Sequence, residues 1–202
     1  MFLRREFLGV NDPFGLLGLT PRPLPGQELV REAYFRAAAS HHPDAPSGDA
    51  AKFAEVKRAF EVLSDPAERL RALAGEGKGG PPDGDLFLIV GAAVDAARKA
   101  FAAAQSTAPL ARALASGRLM EARRMVDECT SSVLSARAEA EAELERLDRA
   151  WPEVSPASLR TLSSRFRFLG KWESELAERR FDLTQAARDI LPAPAGHIKD
   201  QP

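Results

Sequence analysis

A chain of 202 residues, 45% hydrophobic and 28% charged, carries enough apolar material for one or two small globular domains. Its formal net charge of -1 gives no electrostatic bias toward nucleic acid or an anionic lipid surface, so neither is an expected partner. Cys129 is its single cysteine, which excludes an internal disulfide and a cysteine-built zinc centre and points to a reducing compartment.

The first residues, Met1 to Phe7, contain the basic pair Arg4-Arg5 but no apolar run behind it, so no secretory signal is expected. No apolar stretch approaches the roughly 18 residues of a membrane span. The expected location is the cytoplasm. Sustained two-residue alternation is absent, and alanine, leucine, glutamate and arginine dominate the middle and end of the chain, so the fold class is all-α.

The elements follow in order. Asp12 before Pro13 is an N-cap with proline at the first helical position, predicting a short helix over 13–17. The loop Pro21 to Gly26 leads into a helix over 27–40. His42-Pro43-Asp44-Ala45-Pro46-Ser47-Gly48 is a second loop, followed by a helix over 50–63 whose Phe53, Val56, Phe60 and Leu63 fall on one apolar stripe. Asp65-Pro66 repeats the start signal and opens a last turn or two over 66–73. Gly77, Gly79, Gly80, Pro81 and Pro82 forbid a helix, so 75–84 reads as a linker between a first domain, 11–74, and a helical bundle, 85–183.

Three longer helices are expected in that bundle. One, near 85–104, aligns Phe87, Val90, Val94, Ala97 and Phe101. A middle region, 108–149, aligns Val133, Ala136, Ala140, Leu144 and Leu147, with Gly117 expected to interrupt its first part. The last, from 156 to 182 or beyond, aligns Leu159, Leu162, Phe166, Leu169, Trp172 and Leu176. Each stripe is expected to be core. Residues 192–202, rich in proline and polar groups, read as a disordered tail.

The chemistry concentrates at His42-Pro43-Asp44. Pro43 fixes its own φ and pushes His42 away from the α region, so the loop is stiff. Asp44 can accept hydrogen bonds or pair with a partner's arginine, and His42 offers a ring donor and acceptor. A rigid polar tip enters a crevice at small entropic cost. No Gly-x-x-x-x-Gly-Lys phosphate loop and no acid–base pair at a suggestive spacing is present, so no enzymatic activity is expected. His41 and His42 lack a third soft ligand nearby, so neither a metal site nor any cofactor is expected.

Upstream of the tripeptide lie Asp12-Pro13-Phe14-Gly15-Leu16-Leu17-Gly18-Leu19 and Tyr34; downstream lies the run from Lys52-Phe53 to Ser64-Asp65-Pro66. Taken together they resemble the J domain of DnaJ-type co-chaperones. The resemblance implies an antiparallel helical hairpin with the tripeptide at its tip. It implies a DnaK/HscA-type 70-kDa heat-shock ATPase as partner, engaged by His42, Pro43, Asp44, Arg31, Tyr34, Arg36 and Lys57. Where the family carries a basic face, Arg31 and Arg36 are here offset by Glu28 and Glu32, and Ala45 follows the tripeptide, so electrostatic steering is expected to be weak.

Farther on, Asp85-Leu86-Phe87-Leu88-Ile89-Val90 and Arg165-Phe166-Arg167-Phe168-Leu169-Gly170-Lys171-Trp172 are similar to segments of the HscB family, as is the order of a J domain before a three-helix bundle. That likeness implies an iron–sulfur cluster scaffold protein as client, held by Leu88, Ile89, Ala92 and Phe168. The family's flanking carboxylates fall on Ala93, Ala96 and Ala100, which opens two alternatives: an adaptor for another client, and an interaction module without ATPase coupling.

Overall fold

The computed structural model describes residues 12–44 and 48–190. Among them are seven helices and no strand: α1 (Pro13–Leu17), α2 (Gln27–His41), α3 (Ala50–Ser64), α4 (Pro66–Ala74), α5 (Gly84–Ala104), α6 (Pro109–Arg149) and α7 (Pro156–Ile190). The disorder expected for 192–202 and the role of Ala45 fall outside the described residues. The helices gather into two compact units. One holds the residues up to Pro82 together with Arg137–Phe168, and the other holds Asp83–Ala136 together with the residues from Leu169 on.

In the first unit the caps form as the sequence dictates. The Asp12 carboxylate accepts from the Phe14 N–H at 2.9 Å, and that of Asp65 accepts from Ala67 at 2.7 Å, each ahead of a proline at the start of its helix. α2 and α3 pair as an antiparallel hairpin. Tyr34 stacks on Phe60 and His42 meets Phe53 edge-on, and a nearly constant sum of residue numbers is the signature of opposed directions. Phe14, Val30, Ala33, Val56, Leu63 and Leu70 are buried between α1, α2, α3 and α4.

Arg69 is the charged group inside this core. Its guanidinium donates to the Leu63 carbonyl at 2.6 Å and to the Pro23 carbonyl at 2.7 Å, tying the end of α3 to the loop before α2. Burial pulls its pKa down, opposed by Asp65 and Asp148, and a buried cation with two carbonyl acceptors remains an obligate donor. The end of α6 and the start of α7 complete the unit. Asp148 takes the guanidinium of Arg22 and the Leu24 N–H, the latter at 2.9 Å. Ser163 donates to the Ala67 carbonyl at 2.8 Å and Arg160 to that of Ala74 at 3.1 Å. The glycine-rich segment runs close to α7. A Cβ at Gly79 would collide with the Ser164 hydroxyl and lie 2.9 Å from the Arg160 carbonyl, so glycine here is set by close approach as well as by helix breaking.

In the second unit α5 buries Leu86, Val90, Ala93, Ala97, Ala100 and Ala104, an alternation of four and three that puts one seam inward. The expected stripe of Phe87, Val90, Val94, Ala97 and Phe101 is therefore only partly right: Phe87 is 54% exposed, and Val94 and Phe101 are half-buried. The small residues win the inner positions because alanine lets the helices approach closely, a criterion that ranking by hydrophobicity misses. α6 contributes Leu119, Val126, Cys129 and Val133 to this core, and α7 contributes Leu169, Trp172, Leu176 and Leu183. The expected interruption at Gly117 does not occur. α6 runs through it, at an intrinsic cost of about 1 kcal/mol against alanine that the flanking buried positions Ala115 and Leu119 outweigh.

Candidate functional site at the hairpin tip

The chain leaves α2 at His42, whose φ of -56° and ψ of 133° are the extended geometry that a following proline enforces. The Asp44 N–H donates to His42 Nδ1 at 3.3 Å. With Nδ1 accepting, the neutral ring carries its proton on Nε2, which leaves a donor for a partner. The ring packs edge-on against Phe53 at 5.4 Å between centroids, so its orientation is fixed by α3. The Asp44 side chain is 89% exposed and 3.6 Å from His42 Nδ1. His42, Pro43 and Asp44 are all exposed: the tip is a polar, pre-shaped projection.

Two residues that sequence reasoning did not single out hold this tip. The Asp49 N–H donates to the His41 carbonyl at 3.2 Å, closing the loop. The Asp49 carboxylate caps α3 through the Ala51 and Lys52 N–H groups, and the Lys52 bond chiefly holds it below the usual carboxylate range. Gly48 lies against the tripeptide itself. A Cβ there would collide with the His42 carbonyl oxygen and lie 3.0 Å from the Pro43 carbonyl carbon. The sequence signal was available, a glycine four residues after Asp44 and just before a cap, but it read only as a loop breaker.

The four supporting residues separate. Tyr34 is half-buried and stacks on Phe60 at 4.4 Å, so it braces the hairpin. Arg31 and Arg36 are exposed, on different flanks of α2. At 3.6 residues per turn the position of Arg31 lies within about 20° of that of His42, and that of Arg36 about 120° away. Phe35, 62% exposed and also within about 20° of His42, shares the Arg31 flank and was not foreseen. Lys57 is exposed on α3, 4.0 Å from Glu61.

On α5, Leu88 is 69% exposed, Ile89 49%, and Ala92 is exposed beside them. Ala93 and Ala100 are core residues and Ala96 is half-buried, so these alanines do not make the surface of α5 more apolar. The exposed face carries the carboxylates of Asp85, three residues before Leu88, and of Asp95, seven residues after it and 2.7 Å from Lys99. Phe168 belongs to the first unit, where it is half-buried with the Arg167 guanidinium over its ring at 5.6 Å. Cys129 is buried, which pushes its thiol up and leaves it a core residue. Among the described residues no three His, Cys, Asp or Glu side chains gather as metal ligands, and no helix is long and apolar enough to cross a membrane.

Comparison with known proteins places a family on this geometry. The DnaJ domain family model matches residues 12–71. Protein SIS1 of Saccharomyces cerevisiae is 41% identical over 56 residues, covering 28% of this chain and 15% of its own length. The chaperone protein DnaJ of Cyanothece sp. is 42% identical over 63 residues (30% of this chain, 16% of its own), and that of Caldicellulosiruptor saccharolyticus 44% over 62 residues (29% and 16%). The chain thus spans about a sixth of the length of these curated relatives. No solved structure matches it. A capped α1, an antiparallel hairpin of α2 and α3 with His42-Pro43-Asp44 at its exposed end, and a family match over the same stretch make residues 12–71 a J domain.

Proposed function

We propose that this protein is a co-chaperone that stimulates ATP hydrolysis by a DnaK/HscA-type 70-kDa heat-shock ATPase and brings a client to it. The observation that carries the reading is the pre-shaped His42-Pro43-Asp44 tip on a J domain, with the imidazole braced by Phe53 and the Asp44 carboxylate in solvent. The protein acts by binding: His42 Nε2, the Asp44 carboxylate and the Arg31–Phe35 flank engage the ATPase, while Tyr34 keeps the hairpin straight. Arg36 and Lys57 add long-range attraction. Its place of action is the cytoplasm.

Client capture falls to the exposed face of α5. Leu88 and Ile89, flanked by Asp95, present apolar area with a carboxylate at its edge, the composition of an interaction patch. With the likeness to the HscB segments, including Phe168 on α7, this supports an iron–sulfur cluster scaffold protein as the client. A second reading, an adaptor for another client, is favoured by the burial of Ala93 and Ala100, which removes those two scaffold-contact positions from the surface. Joining both contacts on one chain raises the client's effective concentration beside the ATPase.

The test is single-turnover ATP hydrolysis by the cognate DnaK-type ATPase with the intact protein and with His42→Gln. Stimulation that the substitution abolishes is the expected result. Absence of stimulation by the intact protein, with every such ATPase of its source, overturns the reading. Binding of the purified scaffold protein, lost on Leu88→Asp with Ile89→Asp, decides between the two clients.

A further inference from the structure

In the second unit α6 and α7 enclose a groove of ≈ 660 Å³ that neither the tripeptide nor the α5 face explains. Its floor is Leu176 and Ala177, and its rims carry two large apolar side chains in water: Leu134, 55% exposed, and Phe181, 62% exposed. The hydroxyls along it are spent within their own helices. Thr130 donates to the Val126 carbonyl at 2.7 Å and Thr184 to that of Arg180 at 2.8 Å, so the middle of the groove offers little polar chemistry.

The two ends differ in charge. The Arg180–Asp127 pair, at 3.1 Å, fixes the antiparallel register of the helices and sets Leu134 and Glu173 at one end, with Arg123 and Arg188 at the other. Asp127 is shared by Arg180 and by Arg123 at 3.8 Å, so one carboxylate serves two guanidiniums. Arg188 meets no carboxylate among the described residues. Among the described residues three cations thus face one anion at that end, beside an exposed phenyl ring.

We infer that this groove docks an amphipathic, acidic protein segment, its apolar side chains against Leu134 and Phe181 and its carboxylates on Arg123, Arg180 and Arg188. Charge complementarity selects that occupant. A basic segment would meet uncompensated guanidiniums, and a purely apolar one would leave Arg188 without an anion. The mode is a helix laid in an apolar groove, with planar guanidiniums reading carboxylates at its rim. From residue 173 to residue 188 the α7 wall runs about 22 Å, the length of roughly 15 helical residues.

The experiment requires no ATPase, so its outcome is independent of the co-chaperone reading. A fluorescent synthetic helix of about 15 residues, leucine on one face and glutamate on the other, is titrated with the full-length protein by anisotropy; a second probe carries lysine for glutamate. The expected result is micromolar binding of the glutamate probe, weakened by salt, and no binding of the lysine probe. Phe181→Asp and Arg188→Glu should each weaken the glutamate probe at least about tenfold. Both positions are exposed, so the variants should keep the parent melting temperature. Equal binding of both probes, no binding of either, or unchanged affinity in both variants overturns the inference. So does a concentration-dependent dimer in sedimentation that Phe181→Asp abolishes, because the groove would then belong to a second copy of this chain.

Discussion

The hairpin tip and the exposed face of α5 are both open to solvent, and they are built on opposite principles. At the tip the backbone and the imidazole are constrained. Pro43 fixes the backbone, Phe53 sets the imidazole, the Asp49 N–H closes the loop and Gly48 leaves no room for a side chain. On α5 the backbone is plain helix, and Leu88 and Ile89 stand on it 69% and 49% exposed. A polar contact needs its geometry beforehand, because a misplaced hydrogen-bonding group costs more than it returns. An apolar contact tolerates adjustment, because burial has no direction. The first suits a crevice of fixed shape; the second suits a partner surface that adjusts on contact.

Glycine substitutions should expose that difference most sharply. Gly48→Ala drives a Cβ into the His42 carbonyl and must displace the tip, so stimulation of the ATPase should fall at least about thirtyfold, the effect of misplaced contacts worth about 2 kcal/mol or more. Gly91→Ala makes the same chemical change on the outer face of α5, where a Cβ meets nothing within 4 Å, and should raise stability by about 0.5–1 kcal/mol. Single-turnover assays and chemical denaturation read the two. Equal behaviour of the pair would mean that the tip is as adaptable as the helix face. Next in size, Leu88→Asp with Ile89→Asp should weaken client binding by about 2 kcal/mol while leaving the melting curve and client-free ATPase stimulation unchanged.

A smaller effect concerns the support beneath the hairpin. Burial alone would raise the Asp148 carboxyl, but the Arg22 hydrogen bond, the Leu24 N–H and the charges of Arg22 and Arg69 outweigh it and hold the group below the usual carboxylate range. A folded value below the unfolded one means that Asp148 stabilises the fold above about pH 4, and that this contribution is lost as pH falls through the lower folded value. Asp148→Asn should cost about 1–2 kcal/mol at neutral pH, discounted because Arg22 is half exposed, and should flatten the acid limb of stability against pH. Denaturation at a series of pH values checks it; an unchanged acid limb would show that the loop before α2 is held by Arg69 alone.

How much of this was readable from sequence follows the same division. The J domain carries its punctuation in the chain: Asp12-Pro13 and Asp65-Pro66 open helices, and the bounds of α1 to α4 fall within a residue of those expected. α7 was equally plain, since Leu159, Leu162, Phe166, Leu169, Trp172 and Leu176 are all buried. α5 misled because it is apolar nearly all round, so Phe87 took a core place that belongs to Leu86, and only the packing of alanines against neighbouring helices selects the inner seam. Gly117 misled for a related reason: a local propensity cost was read as a break, although the buried residues on both sides hold the helix through it. At the tip, His42-Pro43-Asp44 was legible as a motif. The demand on Gly48 was not, because it arises only when residues 42 and 48 are brought together in space.

The smallest expected effect separates two arginines that composition treats as equals. Both are exposed on α2, but only Arg31 shares a flank with Phe35 and His42. Arg31 is weakly tethered to Glu28 at 4.0 Å, so its guanidinium is free to swing toward an incoming acidic surface. Arg31→Ala should therefore reduce the ATPase-stimulation rate constant by about two- to fivefold at low salt, a loss of less than 1 kcal/mol, and the deficit should shrink as salt screens the contact. Arg36→Ala, on the far flank, removes only long-range attraction and should change the same rate by less than about twofold at low salt, a difference that vanishes as salt rises. A double substitution no worse than Arg31→Ala would fix the docking flank as the one that carries Phe35. A larger loss from Arg36→Ala would place the partner across the other side of α2, and the tip would then be approached from the opposite flank of the hairpin.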